Sequence, residues 1–476
     1  MSSWRSTHGG SAASLIAVLI ALAGCAGLPP NAQPVNLPTD VPLTEVTEQG
    51  LWPAADWWTR YRDPDLDRVV DRALANSPSL ATAGARFESA RQSVRLAGAA
   101  LGAHVEASAD ANRQRLSDNG LFPPRLLGFH WYDMHDLGLQ ASYTFDWWGK
   151  QKDSVNAAMD EAHAARADRH AAAIVLVSSV IDTYFGWQAD QIRLALARQL
   201  EATVAREGGI TAARIRAELE SADEIHRSDS SLAAAREQIA ALEASARLRL
   251  VALAALAGCA VDQLPAMTAK PLPAVGKGLP DDVKIDLIAR RADLTASRWR
   301  VEAAEKNRGA ARAEFYPDIS INALIGVQSI DVSNLLRYDS RVPAAAAAIH
   351  LPIFDAGRLQ ARYGAAQAAL GAAVASYQDT LVNAARDVAT QVTSRAEIAA
   401  QRAQRAIEVD AAQQLKLTAV ARGRQGVTDA RPELTATEYW IEQCDALAQL
   451  DAAALSSDIG LQRALGGGYV RNNSTP

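Results

Sequence analysis

The chain has 476 residues, of which 49% are hydrophobic but only 6% aromatic. Much of the apolar fraction is alanine, which lets helices pack closely without building a thick core, so the composition points to few, long elements rather than the two or three ordinary domains the length would allow. A formal net charge of −6, with basic residues dispersed among carboxylates as on solvated helix faces, gives a nucleic-acid role no electrostatic support.

At the N-terminus Arg5 precedes an apolar run from Ala12 to Gly24, too short for a permanent bilayer anchor, which ends Leu22-Ala23-Gly24-Cys25. This resembles the lipobox of a bacterial lipoprotein and implies that residues 1–24 are a signal peptide, that cleavage precedes Cys25, and that Cys25 is acylated. Ala26 rather than Asp after the cysteine implies the outer membrane. Residues 25–55 are Pro-rich and aperiodic, an extended lipidated tether. Cys259 and Cys444 lie in an oxidising compartment. One falls just past a helix end and the other well inside a helix, so two buried free thiols are expected.

Trp57, Trp58 and Tyr61, followed by Asp63-Pro64-Asp65-Leu66, open a first repeat over residues 56–265. Asp65 or Asp67 is expected to cap a helix running to about Gly102, with the two tryptophans packed on it rather than stacking a ligand. From His104 to Arg113, Val105, Ala107, Ala109 and Ala111 alternate with Glu106, Ser108, Asp110 and Asn112, as in a strand with one apolar face. Residues 114–135, with Gly120, Pro123 and Pro124, read as a loop carrying the interface aromatics Phe129, Trp131 and Tyr132. Leu137, Leu139, Ala141, Tyr143 and Phe145 alternate with polar residues on a return strand, completing a hairpin over 104–146 whose apolar side suits lipid. After Trp147, Trp148 and Gly149 the period changes. No proline occurs between Pro124 and Pro265, and Ile174, Val177, Ile181 and Tyr184 keep the 3-4 spacing of a packing seam. A helix to about residue 220 would extend about 100 Å, and charges at every turn exclude a transmembrane helix. A second helix, about Asp223 to Gly258, returns antiparallel, and residues 266–280 link the repeats.

The second repeat, 281–468, replays the plan. Phe145, Asp146, Gly149 and Lys150 are echoed by Phe354, Asp355, Gly357 and Arg358, at an offset of about 209 residues that indicates tandem duplication. Asn76 to Leu80 is echoed by Arg291 to Leu294, and Ala255 to Gly258 by Ala464 to Gly467. A helix from about Asp282 ends at Phe315-Tyr316-Pro317. Ile319, Ile321, Ala323, Ile325 and Val327 form one face of the next strand, 329–342 is a loop, and a fourth strand near Ala344 to Leu351 closes the hairpin 318–352. Its alternation is hidden by five alanines. Val374, Tyr377, Leu381, Ala384 and Val388 restore the seam on a helix to about Arg424. Gly426 and Pro432 bracket a turn, a last helix ends at Gly466-Gly467-Gly468, and 469–476 form a tail.

Four amphipathic strands of about ten residues match a membrane barrel in length, yet are too few to close one. Edges cannot stay unpaired in lipid, so copies must share the barrel; three chains would give twelve strands and two would give eight. On Trp57-Trp58, Asp63-Pro64, Leu66-Asp67, the Tyr143 to Lys150 junction, Phe315-Tyr316-Pro317, Pro352 to Arg358 and Ala464 to Tyr469, the chain over about residues 50 to 469 resembles the outer membrane factors, the TolC-like channels, in their NodT-type lipoprotein branch. The resemblance implies a mainly α protein with membrane β: long antiparallel helices from a tandem repeat form a periplasmic α-barrel, and four transmembrane strands per chain join a twelve-stranded β-barrel in a homotrimer. It implies a passive duct that docks on a periplasmic adaptor and an inner-membrane pump and releases drugs or other small toxic compounds outside. It also implies acidic residues at the helix turns of the entrance, best matched by Asp223 and Asp429, then Glu224 and Glu433. Three copies of a carboxylate around a narrow opening would repel one another and attract cations. Two departures stand out: the family's turn glycine is missing near Asp223, and Thr435 stands where some relatives carry an acid.

Catalytic motifs are absent from the sequence: no His-Glu-x-x-His, Gly-x-Ser-x-Gly, Walker loop or Cys-x-x-Cys. No enzyme activity, cofactor or metal is expected. His163 and His170, seven apart on one helix face, could touch a metal, but a solvated pair is the expectation. Two alternatives remain: a duct for a secreted polypeptide, and a periplasm-spanning structural lipoprotein without a pore, whose strands would sit in a soluble sheet.

Overall fold

A computed structural model describes residues 37, 52–275 and 290–470. The signal peptide, Cys25, most of the tether, the end of the linker with the start of the helix expected from about Asp282, and the last six residues fall outside the described residues. The chain divides into two compact units, and each draws on both halves of the sequence. Among the described residues one comprises 88–164 and 298–376; the other comprises 52–87, 165–275, 290–297 and 377–470.

Helix α1, Pro64–Asn76, is capped by Asp63, whose Oδ1 accepts the backbone N–H of Asp65 at 3.0 Å, with Pro64 in the first turn. The cap is therefore neither Asp65 nor Asp67. Asp65 is used elsewhere, accepting from Thr268 Oγ1 at 2.9 Å and pairing with Lys270 at 2.8 Å. Nor does one helix reach Gly102. Ser77 is extended (ψ 124°), as a residue before proline must be, and Pro78 opens α2, Pro78–Ala99.

Strands β1 (His104–Arg115), β2 (Trp131–Phe145), β3 (Asp318–Ser329) and β4 (Arg341–His350) form one antiparallel sheet in chain order. The first hairpin is longer than its alternation suggests. Trp131 and Tyr132 pair with Arg115 and Gln114 instead of lying in the loop, the Arg113 guanidinium sits 5.9 Å from the Trp131 ring centre, and Gln114 hydrogen-bonds Tyr132. Such cross-strand pairs stabilise a polar strand end that periodicity alone does not reveal. A single helical turn, Pro124–Leu127, interrupts the loop. β4 likewise starts earlier, at Arg341. The register aligns Val105 with Ala141, Leu139 with Ile325, Tyr143 with Ile321, and Ile319 with Ile349. With side chains alternating, every apolar set falls on one face, and a one-residue slip would scatter it.

Helices α3 (Lys150–Arg216) and α4 (Asp223–Leu256) have 67 and 34 residues; α5 is Ala292–Ala313; α6 (Arg358–Arg424) and α7 (Arg431–Ala464) again have 67 and 34. α3 continues unbroken through Gly208-Gly209. The junction aspartates set both long helices: Asp146 accepts the N–H groups of Gln151 (2.9 Å) and Lys152 (2.7 Å), and Asp355 those of Gly357 (3.1 Å) and Leu359 (2.9 Å). A carboxylate at a helix N-terminus satisfies orphan donors and opposes the positive end of the dipole.

In the helical unit the seam residues Val177, Ile181 and Tyr184 pack with Leu66, Val69, Val70, Leu253, Leu455 and Ile459. Trp57 is buried there with Trp58 against it, as a packing pair. The expectation of charges at every turn fails over one window of α3, which is long and apolar enough to pass as a membrane span by composition; the helix instead contributes Val177, Ile181 and Tyr184 to this core. The second seam holds too: Tyr377, Leu381, Ala384 and Val388 are all buried. Beneath lies Asp458, fully buried, which accepts from Tyr61 Oη (2.8 Å) and Arg395 (2.9 Å) and pairs with Arg60.

Candidate functional site

Two features can do physical work, one in each unit. In the sheet unit the apolar face is exposed: Leu139 is 55% exposed, Ile325 72% and Ile349 73%. The opposite face carries Glu106, Ser108, Asp110, Asp136, Gln140, Ser142 and Asn322, and Gln328 donates to Asp136 at 2.6 Å. β1 and β4 each present an unpaired edge. A sheet polar on one side, apolar on the other and open at both edges has the build of one segment of a membrane pore wall that needs neighbours to close it.

The second feature is a pair of helix turns in the helical unit, α3 to α4 and α6 to α7. They are built alike. Leu219 N–H bonds the Arg214 carbonyl (2.9 Å), and Val427 N–H bonds that of Arg422 (3.0 Å), a helix-closing pattern that needs a left-handed residue in between. Gly426 supplies it with φ 70°, and Glu218 takes the matching place with φ 58°. The glycine missing from the first turn is thus replaced by a strained glutamate, at a cost of about 1–2 kcal/mol.

Charge joins the turns. Arg214 Nε donates to Glu220 Oε2 at 2.9 Å, and Arg431 donates to Glu220 Oε1 at 3.2 Å. Arg431 Nε also donates to Asp429 Oδ2 at 3.3 Å, which lies 3.8 Å from Arg214. Glu220 is therefore gripped by one arginine from each turn, and two acids and two bases close a ring. Arg206 faces Glu433 at 3.5 Å, and Arg227 holds Glu224 at 2.7 Å. Beside the ring is a groove of about 820 Å³ lined by Glu207, Leu415, Arg422, Thr435 and Tyr439 among others.

Of the four acids read from the sequence, Asp429 sits in the ring and Glu433 borders it. Glu224 is held by its own helix, and Asp223 is exposed at the start of α4. Arg214, Glu220 and Arg431 were not singled out. A signal existed: Asp223 and Arg431 are the first residues of the equivalent helices α4 and α7, so duplicated positions carry opposite charge.

The histidines part company. His163 stacks on Trp299 at 4.6 Å and His170 lies against Tyr469 at 5.5 Å. Among the described residues no group of three or more His, Cys, Asp or Glu is placed to hold a metal. Cys259 and Cys444 are free thiols, half-buried rather than buried.

The family profile described as "Outer membrane efflux protein" matches residues 69–259 and 285–467, one segment in each repeat. The chain is 32% identical over 425 residues to the multidrug resistance outer membrane protein MdtP of Escherichia coli O6:H1, covering 88% of this chain and 87% of that one. It is 31% identical to MdtQ of Escherichia coli O157:H7, covering 95% and 97%. Among solved structures, the outer membrane protein VceC of Vibrio cholerae superposes with TM-score 0.78 at 32% identity, over 88% of this chain and all of that one. The CmeC outer membrane channel of Campylobacter jejuni shares the fold at TM-score 0.83 and 20% identity, over 95% and 96%. By sequence in both repeats and by fold, the chain belongs to the outer membrane efflux protein family.

Proposed function

We propose that this protein is the outer-membrane exit duct of a tripartite efflux system, a passive channel for small toxic compounds or drugs. The observation that carries the reading is the sheet: one apolar face, one polar face and two bare edges, which only neighbouring copies can satisfy in lipid. Three copies give twelve strands, with the apolar faces toward lipid and the polar faces lining the pore. The names of the relatives, multidrug resistance outer membrane proteins, support the cargo class. Domain limits follow the repeats, 56–265 and 281–468, with the hairpins 104–146 and 318–352 in the membrane and the long helices in the periplasm.

The chain performs no chemistry in this role. Energy comes from an inner-membrane pump, transmitted through a periplasmic adaptor that engages the helical end. The double turn closes that end, with Asp223 and Asp429, then Glu224 and Glu433, as the carboxylates at the aperture. Cys25 carries the lipid.

Purified detergent-extracted oligomer should give stepwise conductance in planar bilayers, and deleting the gene should raise drug sensitivity without altering protein export. Absence of conductance would remove the duct; an export defect would favour a polypeptide cargo. Cys25→Ser is expected to abolish labelling by a fatty-acid probe, and unchanged labelling would remove the lipid assignment.

A further inference from the structure

At the ends nearest the helices, the two outer strands of the sheet put metal-binding chemistry on its polar face. β1 begins at His104, and β4 ends at His350. His104 stands opposite Ser142, Ser142 opposite Asn322, and His350 opposite Asp318. Residues paired in this way project to the same side, and alternation adds Glu106 to them. His104, Glu106, Asp318 and His350 are all exposed. The same face carries Asp110 and Asp136, whereas Arg113, Arg115 and Arg341 fall on the other face and the strands contain no lysine. Its field therefore draws cations.

Within one chain these groups form two half-sites. Asp318 and His350 lie at one bare edge and His104 and Glu106 at the other, which is why no group of three gathers among the described residues of a single chain. A shared barrel brings the edges together: neighbouring strands run in opposite directions, so β4 of one copy meets β1 of the next antiparallel. Pairing all 10 residues of β4 with the 12 of β1, polar side to polar side, leaves two registers. His350 faces His104 in one; in the other it faces Glu106, with His104 on the diagonal. Residues directly opposite have Cβ atoms about 4.5–5.5 Å apart, and diagonal neighbours are about 7–8 Å apart. In both registers two imidazoles and a carboxylate converge across the seam. Ala346 and Ala348, the preceding residues of β4 on that face, leave the space beside them clear.

We propose that each seam between copies carries a site for a borderline divalent cation, Zn²⁺, Ni²⁺ or Co²⁺, made by His350 and Asp318 of one copy with His104 and Glu106 of the next. The site rests on the reading of the sheet as one segment of a shared barrel. Neutral imidazole with carboxylate suits these ions, whereas the harder Mg²⁺ and Ca²⁺ take oxygen ligands. A bound ion ties neighbouring copies together and places positive charge on the pore wall. Imidazole must be neutral to bind, so affinity falls as pH drops through about 6.5.

The test is calorimetric titration of Ni²⁺ into the metal-free full-length oligomer in detergent, with the temperature at which the oligomer dissociates and its conductance in planar bilayers as further readouts. The expected result is one ion per chain, an oligomer that resists heat better, and a conductance that falls with Ni²⁺ and recovers with EDTA. Mg²⁺ at the same concentration should reproduce none of this. Affinity should drop at least about tenfold between about pH 7.5 and about pH 5.5. His350→Ala and His104→Ala should each weaken binding at least about tenfold while leaving the metal-free conductance intact, and either serves where the other fails to assemble. An oligomer that conducts but binds no Ni²⁺, or binding that survives both histidine changes, overturns the site and leaves the duct standing. A chain that neither associates nor conducts removes the duct reading, and the site with it, because the two half-sites then never meet.

Discussion

Replacing Arg214 and Arg431 together with alanine is expected to leave the isolated channel open far more often than wild type. Those two side chains are the means by which the α3–α4 turn holds the α6–α7 turn, through Glu220 and Asp429. Half-exposed ion pairs contribute little singly, about 0.2–1 kcal/mol, but the four contacts form one ring and are lost together. A loss of about 1.5 kcal/mol per chain changes the closed-to-open ratio about tenfold per copy, and more in an oligomer whose chains open in concert. Single variants should rank by their place in the ring. Glu220→Ala removes the two contacts at 2.9 and 3.2 Å and leaves only the 3.8 Å contact of Arg214 with Asp429 between the turns, so it should come close to the double change. Asp429→Ala leaves Glu220 still gripped from both sides and should open the channel less, although removing a carboxylate from the proposed aperture should also alter its response to divalent cations. Bilayer recordings and cell sensitivity to large hydrophilic antibiotics read the effect. Conductance unchanged in the double variant would mean that the ring ties two turns together without closing anything.

Asp458→Ala should be the most damaging single substitution in the helical unit. The carboxylate is fully buried and is shared by Arg60, Arg395 and Tyr61, so one change takes an acceptor from three donors. Arg395 is itself largely buried, with 17% of its side chain exposed, and cannot turn to water. Breaking a buried pair by removing one partner typically costs about 3–5 kcal/mol. The expected result is a lower thermal midpoint and little heat-modifiable oligomer, whereas Arg60→Ala, at a position 32% exposed, should cost much less. An Asp458→Ala protein that melts with wild type would show that the arginines find other acids.

Both expectations concern partners that linear reading does not reach. Asp458 and Arg60 are 398 positions apart, and Arg431 and Glu220 are 211 apart. The same limit explains the smaller corrections. Asp63, Asp65 and Asp67 are equivalent as caps by local rules; Asp63 takes the role in a fold where Thr268 donates to Asp65 and Lys270 pairs with both Asp63 and Asp65. Trp131 and Tyr132 read as loop residues until Gln114 and Arg115 lie opposite them in the sheet.

What the sequence settled alone was the kind and order of the strands and long helices, which depend on period, although the break at Pro78 shows that a punctuation mark inside a helical pattern can be read past. Alternation marks strands and the 3-4 seam marks helices because each face must meet one kind of surroundings along its whole length. The duplication survives in Phe-Asp-x-x-Gly and its echo because both junctions solve one problem, turning a strand into a capped helix. Tertiary structure decided which charges meet. An acid at a helix turn reads the same whether it faces water or grips an arginine from the other repeat. Those outcomes differ by distances of a few ångströms between residues far apart in the chain, and electrostatic energy depends on distance and burial, not on order along the chain.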